Sequence, residues 1–316
     1  MKLFVTGAGG FVGAALVRQA LREGHEVAAL VRPGGNADRL TGGDGRLEIV
    51  QADIRDAAAV AALLAKVRPE VVVHVAWSGV SGAARFDRLQ LTDNVEATCN
   101  LMDGAIAAGV GKFVGIGSQG EYGLLEGRVG EDKLPEPTTL YGASKVAVLH
   151  LSRQLAAQAG MSFAWLRLFS TYGPDDNPRW LIPTLVEQML DGARPKTTLG
   201  TQKWDYLFID DTASGILAAA VTPGAEGVFN LGAGVAVPVR RVVETIRDLA
   251  APDLELVFGE ISFRPDQIWH MEADIDRLVA ATGWRPQVDL ETGLARTVEW
   301  HRARRPAVAA GQGAHA

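Results

Sequence analysis

Apolar runs and amphipathic stretches alternate along most of the chain, and their order predicts its fold. Residues 2–6, 26–31, 47–51, 71–75 and 113–117 are short segments dominated by aliphatic and aromatic side chains. Runs of that length suit strands buried on both faces. Between them lie longer stretches of helical character, at 14–21, 57–66, about 85–108 and 140–159. This alternation of strands and helices predicts an α/β fold with a doubly wound parallel sheet. Further on, a helix is expected at 178–191, where Leu181, Ile182, Leu185 and Met189 share one face. Two more are expected at 239–250 and 290–305, and Asp211 is expected to cap another. Residues 228–232 read as a last strand beside the first sheet.

The turn after the first strand is Gly7-Ala8-Gly9-Gly10-Phe11-Val12-Gly13. Glycines at 7, 10 and 13 permit a tight turn, close backbone approach to a pyrophosphate, and close helix–strand packing. The following helix would offer its N-terminal N–H groups and positive dipole end to phosphates. A glycine triplet alone is weak evidence and also fits a tight turn without ligand. Its place between strand and helix is the context that strengthens it. After the second strand the chain reads Arg32-Pro33-Gly34-Gly35-Asn36, where NAD would call for an acidic residue. An arginine there suits a ribose 2′-phosphate, so NADP(H) is favoured, with NAD(H) the alternative and a surface arginine the plain reading. Asp53-Ile54 after the third strand is placed to meet an adenine by hydrogen bond and apolar contact.

Tyr141 and Lys145 lie one helical turn apart, so phenol and ammonium share a face. A nearby cation favours phenolate, and the spacing predicts that Lys145 lowers the Tyr141 pKa toward a useful acid or base. Ser118 stands upstream at the end of the 113–117 strand. His74 is expected to pack beside a cofactor rather than bind metal. No second histidine lies at ligand spacing, and no metal is expected. Asn94 is open to several readings: a buried cap, a strand-bridging group, or the anchor of a proton-relay water.

Composition narrows the function classes. The chain has 316 residues, 47% of them hydrophobic, and a formal net charge of −6. That charge, with a pI near 5.6, argues against a nucleic-acid partner. No hydrophobic run is long enough to cross a bilayer, and the apolar start is too short for a signal peptide. Cys99 is the only cysteine, which excludes an intrachain disulfide and leads to the expectation of a cytoplasmic protein.

Taken together, these residues resemble the extended short-chain dehydrogenase/reductases, within them the nucleotide-sugar epimerase, dehydratase and reductase group. The resemblance rests on Gly7, Gly10 and Gly13, on Asp53-Ile54, on His74-Val75-Ala76, on Asn94, Ser118, Tyr141 and Lys145, and on the run 166–174. It covers about residues 2–302. It implies a Rossmann domain over 1–173 and 207–235, a smaller mixed α/β C-terminal substrate domain over 174–206 and 236–305, and a tail at 306–316. It implies cofactor contacts at Gly7, Gly10, Phe11, Val12, Gly13, Arg32, Asp53 and Ile54. Further ones are implied at Val75, Ala76, Asn94, Tyr141, Lys145 and Leu168. Substrate contacts are expected at Gln119, Asn177 and Arg264, the last gripping a diphosphate through its fork of donors. The implied roles are proton exchange for Tyr141, cofactor-ribose binding for Lys145, and a hydrogen bond from Ser118 to the reacting oxygen. A nucleotide-sugar substrate and a homodimer paired through the helices at 85–108 and 140–159 are also implied.

Dehydratases of this group carry an acid and a base directly after the hydroxyl residue. Here the stretch is Ser118-Gln119-Gly120-Glu121-Tyr122, so neither position can exchange a proton and Glu121 comes one place late. The 3,5-epimerase/reductases carry a cysteine where Gln119 stands and a histidine where Asp175 stands. What remains is redox at one carbon: a 4-ketoreductase or a 4-epimerase. Residues 118–123 and 202–207 look like those of deoxysugar 4-ketoreductases. A cofactor-binding protein without turnover is the remote alternative, since fold alone does not guarantee activity.

Overall fold

A computed structural model describes residues 1–40 and 45–305. The expected tail at 306–316 lies outside the described residues. Seven strands form one parallel sheet: β1 (Lys2–Thr6), β2 (Glu26–Val31), β3 (Leu47–Gln51), β4 (Val71–His74), β5 (Lys112–Ser118), β7 (Ser162–Leu168) and β10 (Gly227–Leu231). The sixth strand, β6 (Glu126–Val129), belongs elsewhere. The order is β3-β2-β1-β4-β5-β7-β10, so the winding reverses between β1 and β4. In doubly wound sheets a ligand is expected at such a reversal, beyond the carboxyl ends of the strands. Helices α1 (Phe11–Arg22) and α6 (Ile209–Val221) pack together, while α2 (Ala57–Val67), α3 (Ala97–Ala107) and α4 (Leu140–Ala159) form a second row. The central strands read as unbroken apolar runs because both their faces are buried; Leu3, Phe4, Val5, Val72 and Val73 are all at 0% exposure.

A second sheet has the order β11-β9-β12-β6, built from β11 (Ala236–Pro238), β9 (Lys203–Phe208), β12 (His270–Ala273) and β6. A short strand, β8 (Ser170–Tyr172), pairs with β9. Around it lie α5 (Leu181–Leu190), α7 (Val239–Ala250), α8 (Asp276–Thr282) and α9 (Leu290–Ala303). Asp205 ties this region together from a fully buried position. Its carboxylate accepts from the backbone N–H groups of Ala233, Gly234 and Ala273 at 2.6, 3.0 and 3.1 Å. Among the described residues no helix is long and apolar enough to cross a membrane.

Several expected elements change. The helix expected over 85–108 is three pieces: a 3₁₀ turn at Gly82–Phe86, a π-helical stretch at Leu91–Glu96, and α3. Asp87 is extended between the first two, which breaks the helix. The helix at 178–191 starts only at Leu181, and the strand at 71–75 stops at His74. Asp211 is not a cap. The helix begins two residues earlier, and the Asp211 carboxylate instead accepts from the N–H groups of Gln287 and Val288, at 3.0 and 2.8 Å.

Candidate active site

The turn between β1 and α1 lies beside that reversal, at the carboxyl end of β1. Gly7 has φ +66, and a Cβ there would stand 2.7 Å from the Ala76 nitrogen, just past β4. A Cβ on Gly13 would collide with the Gly7 carbonyl oxygen. Phe11 opens α1 behind Gly10, and no side chain caps it. The N–H groups of its first turn are therefore left by the protein for an anion, and the helix dipole favours one. These glycines and this uncapped terminus fit a dinucleotide pyrophosphate. Val12 and Leu168 are half-buried against the main core, as is Val75.

Arg32 is exposed directly after β2, and its carbonyl closes a turn with Gly35 N at 2.8 Å. A second arginine, Arg39, comes over the glycine turn. Its Nη1 donates to Gly9 O at 3.3 Å, and its fork grips Asp175 through both carboxylate oxygens. Sequence reasoning did not find this clasp, because the two residues lie 136 apart. Asp53 is tied to Arg55, whose Nη2 donates to it at 2.6 Å, and that hydrogen bond holds the carboxyl down to about 2. Ile54 packs against the α2 side of the sheet.

His74 is buried with both ring nitrogens engaged, at 2.8 Å to Thr6 Oγ1 and 2.9 Å to Thr98 Oγ1. Burial, then the Lys145 charge, lowers its pKa to about 3. Asn94 bridges: its Oδ1 accepts from Ser78 N at 2.8 Å, and its Nδ2 donates to Ser78 O and Gln90 Oε1. Gln90 is part of the same clamp. Its Nε2 donates to Gly79 O at 2.8 Å and Ala84 O at 3.0 Å, and its Oε1 accepts from Trp77 Nε1 at 2.9 Å. The π-helical stretch thus serves to shape the loop after β4.

The side chains expected to carry the chemistry gather where β5 ends and α4 starts. Thr139 caps α4 by accepting from Gly142 N at 3.1 Å. A Cβ on Gly142 would strike the Gly120 carbonyl, so glycine lets α4 close onto the turn carrying Ser118. Ser118 Oγ donates to Gln119 Oε1 at 2.5 Å and accepts from Gly120 N at 3.1 Å. Tyr141 is 9% exposed, and Trp77 meets its ring edge-on at 6.0 Å. Lys145 Nζ donates to Ile116 O at 2.6 Å, lies 3.5 Å from the Trp77 ring centre and 5.9 Å from that of Tyr141.

The electrostatics correct one expectation. Burial pulls the Lys145 pKa down to about 7, against the raising effect of Glu121. Burial also holds the Tyr141 phenol above its ordinary 10; the Ser118 hydrogen bond and the Arg85 charge pull it back, while Glu121 adds to the rise. The Lys145 ammonium donates to Ile116 O and lies against the Trp77 ring. Arg85 is the cation that acts, its guanidinium 5.0 Å from the Tyr141 ring centre.

The sequence places Glu121 one residue late for elimination and gives it no other role. It is fully buried, accepting from Ser118 N at 2.9 Å, Trp165 Nε1 at 3.0 Å and Arg167 Nε at 2.8 Å. A Cβ on Gly117 would overlap both Glu121 and Trp165. Alternate glycines within an otherwise apolar strand were the available signal, since they mark close approach by another group. Of the expected substrate residues, Gln119 lies in this cluster. Asn177 Oδ1 accepts from Arg179 N at 3.0 Å, and Arg264 is exposed on the segment before β12. Asp176 beside Asn177 is raised by burial to about 7.

Comparison with known proteins agrees with this geometry. The NAD dependent epimerase/dehydratase family matches residues 3–232. A UDP-glucose 4-epimerase of Mycolicibacterium smegmatis is 32% identical over 96% of this chain and 99% of its own. A dTDP-glucose 4,6-dehydratase of Streptomyces griseus is 31% identical over 96% of this chain and 94% of its own. Among solved structures, a Thermus thermophilus UDP-glucose 4-epimerase in complex with NAD has a TM-score of 0.85 at 26% identity, covering 96% of this chain and 100% of its own. A Streptomyces venezuelae dTDP-glucose 4,6-dehydratase with NAD bound has a TM-score of 0.83 at 30% identity, covering 96% and 98%. On the glycine turn, the Ser118–Tyr141–Lys145 cluster and these matches, the chain belongs to the NAD dependent epimerase/dehydratase family of extended short-chain dehydrogenase/reductases.

Proposed function

We propose that this chain reduces a nucleotide-activated 4-keto-6-deoxyhexose at C4 with NADPH. The observation that carries the reading is the seat of Glu121. The one carboxylate in the turn after Ser118 faces the core, held by Trp165 and Arg167. Water elimination needs an acid and a base beside the sugar, and Gln119 and Gly120 supply neither. Proton transfer to a single oxygen needs only a positioned donor pair, which Ser118 and Tyr141 provide. The glycine turn and α1 would hold the cofactor pyrophosphate, Arg32 its 2′-phosphate, and Lys145 its ribose. The bound nicotinamide supplies hydride. Tyr141 gives its proton to the substrate oxygen, and Ser118, oriented by Gln119, steadies that oxygen. Arg264 and Asn177 are assigned to the nucleotide sugar.

A second reading is an NAD-dependent 4-epimerase. It is favoured by the near full-length similarity to a UDP-glucose 4-epimerase and by the NAD bound in solved relatives. One assay separates the two. Nucleotide 4-keto sugars are incubated with NADPH, and cofactor use is compared with product. One NADPH consumed per sugar reduced supports the reductase; interconversion of 4-hydroxy sugars without net consumption overturns it. We also infer a cytoplasmic homodimer pairing through α3 and α4, where Leu91 before α3 and Leu151 on α4 stand 47% and 44% exposed. A stable monomer in sedimentation at micromolar concentration rejects it.

A further inference from the structure

Arg85 is carried by the 3₁₀ turn in the loop after β4. Nothing in its local sequence marks it. In the fold its guanidinium lies over the Tyr141 ring, 5.0 Å from the centre. The vacant side of Gly120 is where the groups meet. A methyl there would stand 3.2 Å from Arg85 Nη2, 3.4 Å from Ser118 Oγ and 3.5 Å from Tyr141 Cε1. The absence of a side chain at Gly120 therefore makes room for a cation beside the two groups assigned to the reacting oxygen. Arg85 Nε is buried without a hydrogen-bond partner.

The loop that presents Arg85 is fixed. Gln90 Nε2 donates to the carbonyls of Gly79 and Ala84, the latter immediately before Arg85. Asn94 clasps Ser78 from both sides of its amide group. Two buried amides thus position the guanidinium.

We propose that Arg85 is the positioning cation of this site, stabilising the Tyr141 phenolate left when the phenol O–H breaks and its proton passes to the substrate oxygen. This rests on the reading of Tyr141 as the proton donor. Three charged groups act around that phenol. Lys145 comes from its own helix, Glu121 from the turn after β5, and Arg85 from the loop after β4. Lys145 donates to Ile116 O and lies against Trp77, and its charge is weakened by burial. Glu121 opposes phenolate but is compensated by Arg167. Arg85 is the remaining cation, and a guanidinium does not lose its proton in the working range. An opposite charge at this range favours the ionised form by about one pH unit or more.

The test reads the phenol directly. The chain has four tyrosines, so ring-carbon labelling gives four signals, and Tyr141→Phe assigns the relevant one. Arg85→Ala is expected to lower the Tyr141 phenolate-to-phenol ratio at fixed alkaline pH about tenfold. Arg85→Lys should restore most of it. The limb of the kcat–pH profile governed by Tyr141 should move upward in Arg85→Ala, with the KM for cofactor unchanged. An unchanged Tyr141 signal in both variants overturns the proposal. If the signal moves but no sugar is turned over even by the unmodified protein, the proposed reaction fails while the assignment of Arg85 stands.

Discussion

The Lys145 ammonium lies 3.5 Å from the centre of the Trp77 ring while donating to the Ile116 carbonyl at 2.6 Å. Trp77 is itself held by its indole N–H to Gln90, so ring and cation are both fixed. A desolvated cation–π contact is worth about 2 kcal/mol. Trp77→Leu should destabilise the protein by about that much plus the lost packing, and Trp77→Phe by less. Urea unfolding at about pH 6, where Lys145 carries its charge, measures both; equal losses in the two variants would remove the cation–π account.

The same lysine should give stability a distinct pH dependence. Lys145 titrates near 7 in the fold and at 10.5 ordinarily. Between those values the unfolded chain binds more protons, so this group's contribution to stability rises with pH. Below about pH 7 both states are protonated and the penalty for burying the charge is present in full. Unfolding free energies of the native chain minus those of Lys145→Met should climb by about 2–4 kcal/mol between roughly pH 7 and 10. A flat difference would mean that the ammonium is solvated in the fold.

Glu121 and Arg167 form a buried ion pair at 2.8 Å, with side-chain exposures of 0% and 3%. Removing one partner strands the other, which costs about 3–5 kcal/mol. Arg167→Met and Glu121→Gln should each be strongly destabilising, and the double variant less so than their sum. A double-mutant cycle in urea checks the coupling; strict additivity would show that the pair is not acting as one.

Much of this was legible because it is local. The glycine turn, the strand–helix alternation and the Tyr141–Lys145 spacing each lie within a few residues of themselves, where backbone geometry is strict. Arg85 against Tyr141, Trp77 against Lys145 and Glu121 against Arg167 join segments 46 to 68 residues apart, and no periodicity reports such meetings. The breaks in the helix expected over 85–108 were hidden for a related reason. Gln90 and Asn94 look like ordinary polar helix positions, yet their side chains turn inward to hold a loop, and that inward hydrogen bonding decides the local backbone.

Tyr141→Phe separates the proton from the fold. The ring packs against Trp77 and under Arg85, and phenylalanine keeps those contacts. Loss of a positioned acid costs about 10²- to 10⁴-fold in rate. Turnover should fall by that factor while cofactor affinity, followed by nicotinamide fluorescence, stays near its original value. Retention of most of the rate would assign the proton to another group.

Arg32 tests the cofactor choice. It stands exposed at the end of β2, one strand from the glycine turn, where the ribose of a dinucleotide held on α1 would lie. Arginine offers a planar fork that matches phosphate oxygens and keeps its charge at any working pH. The Asp53 carboxylate, on which the Arg32 charge acts, is itself paired to Arg55. A charge-assisted phosphate contact contributes about 1.5–3 kcal/mol, or about ten- to a hundredfold in affinity. Arg32→Ala should therefore raise the KM for NADPH by that factor and leave the KM for NADH nearly unchanged. Arg32→Lys should recover part of the preference, since the charge returns without the fork. Steady-state kinetics with both cofactors decides the matter, and parallel changes for NADPH and NADH would return Arg32 to the surface and favour the NAD-dependent epimerase.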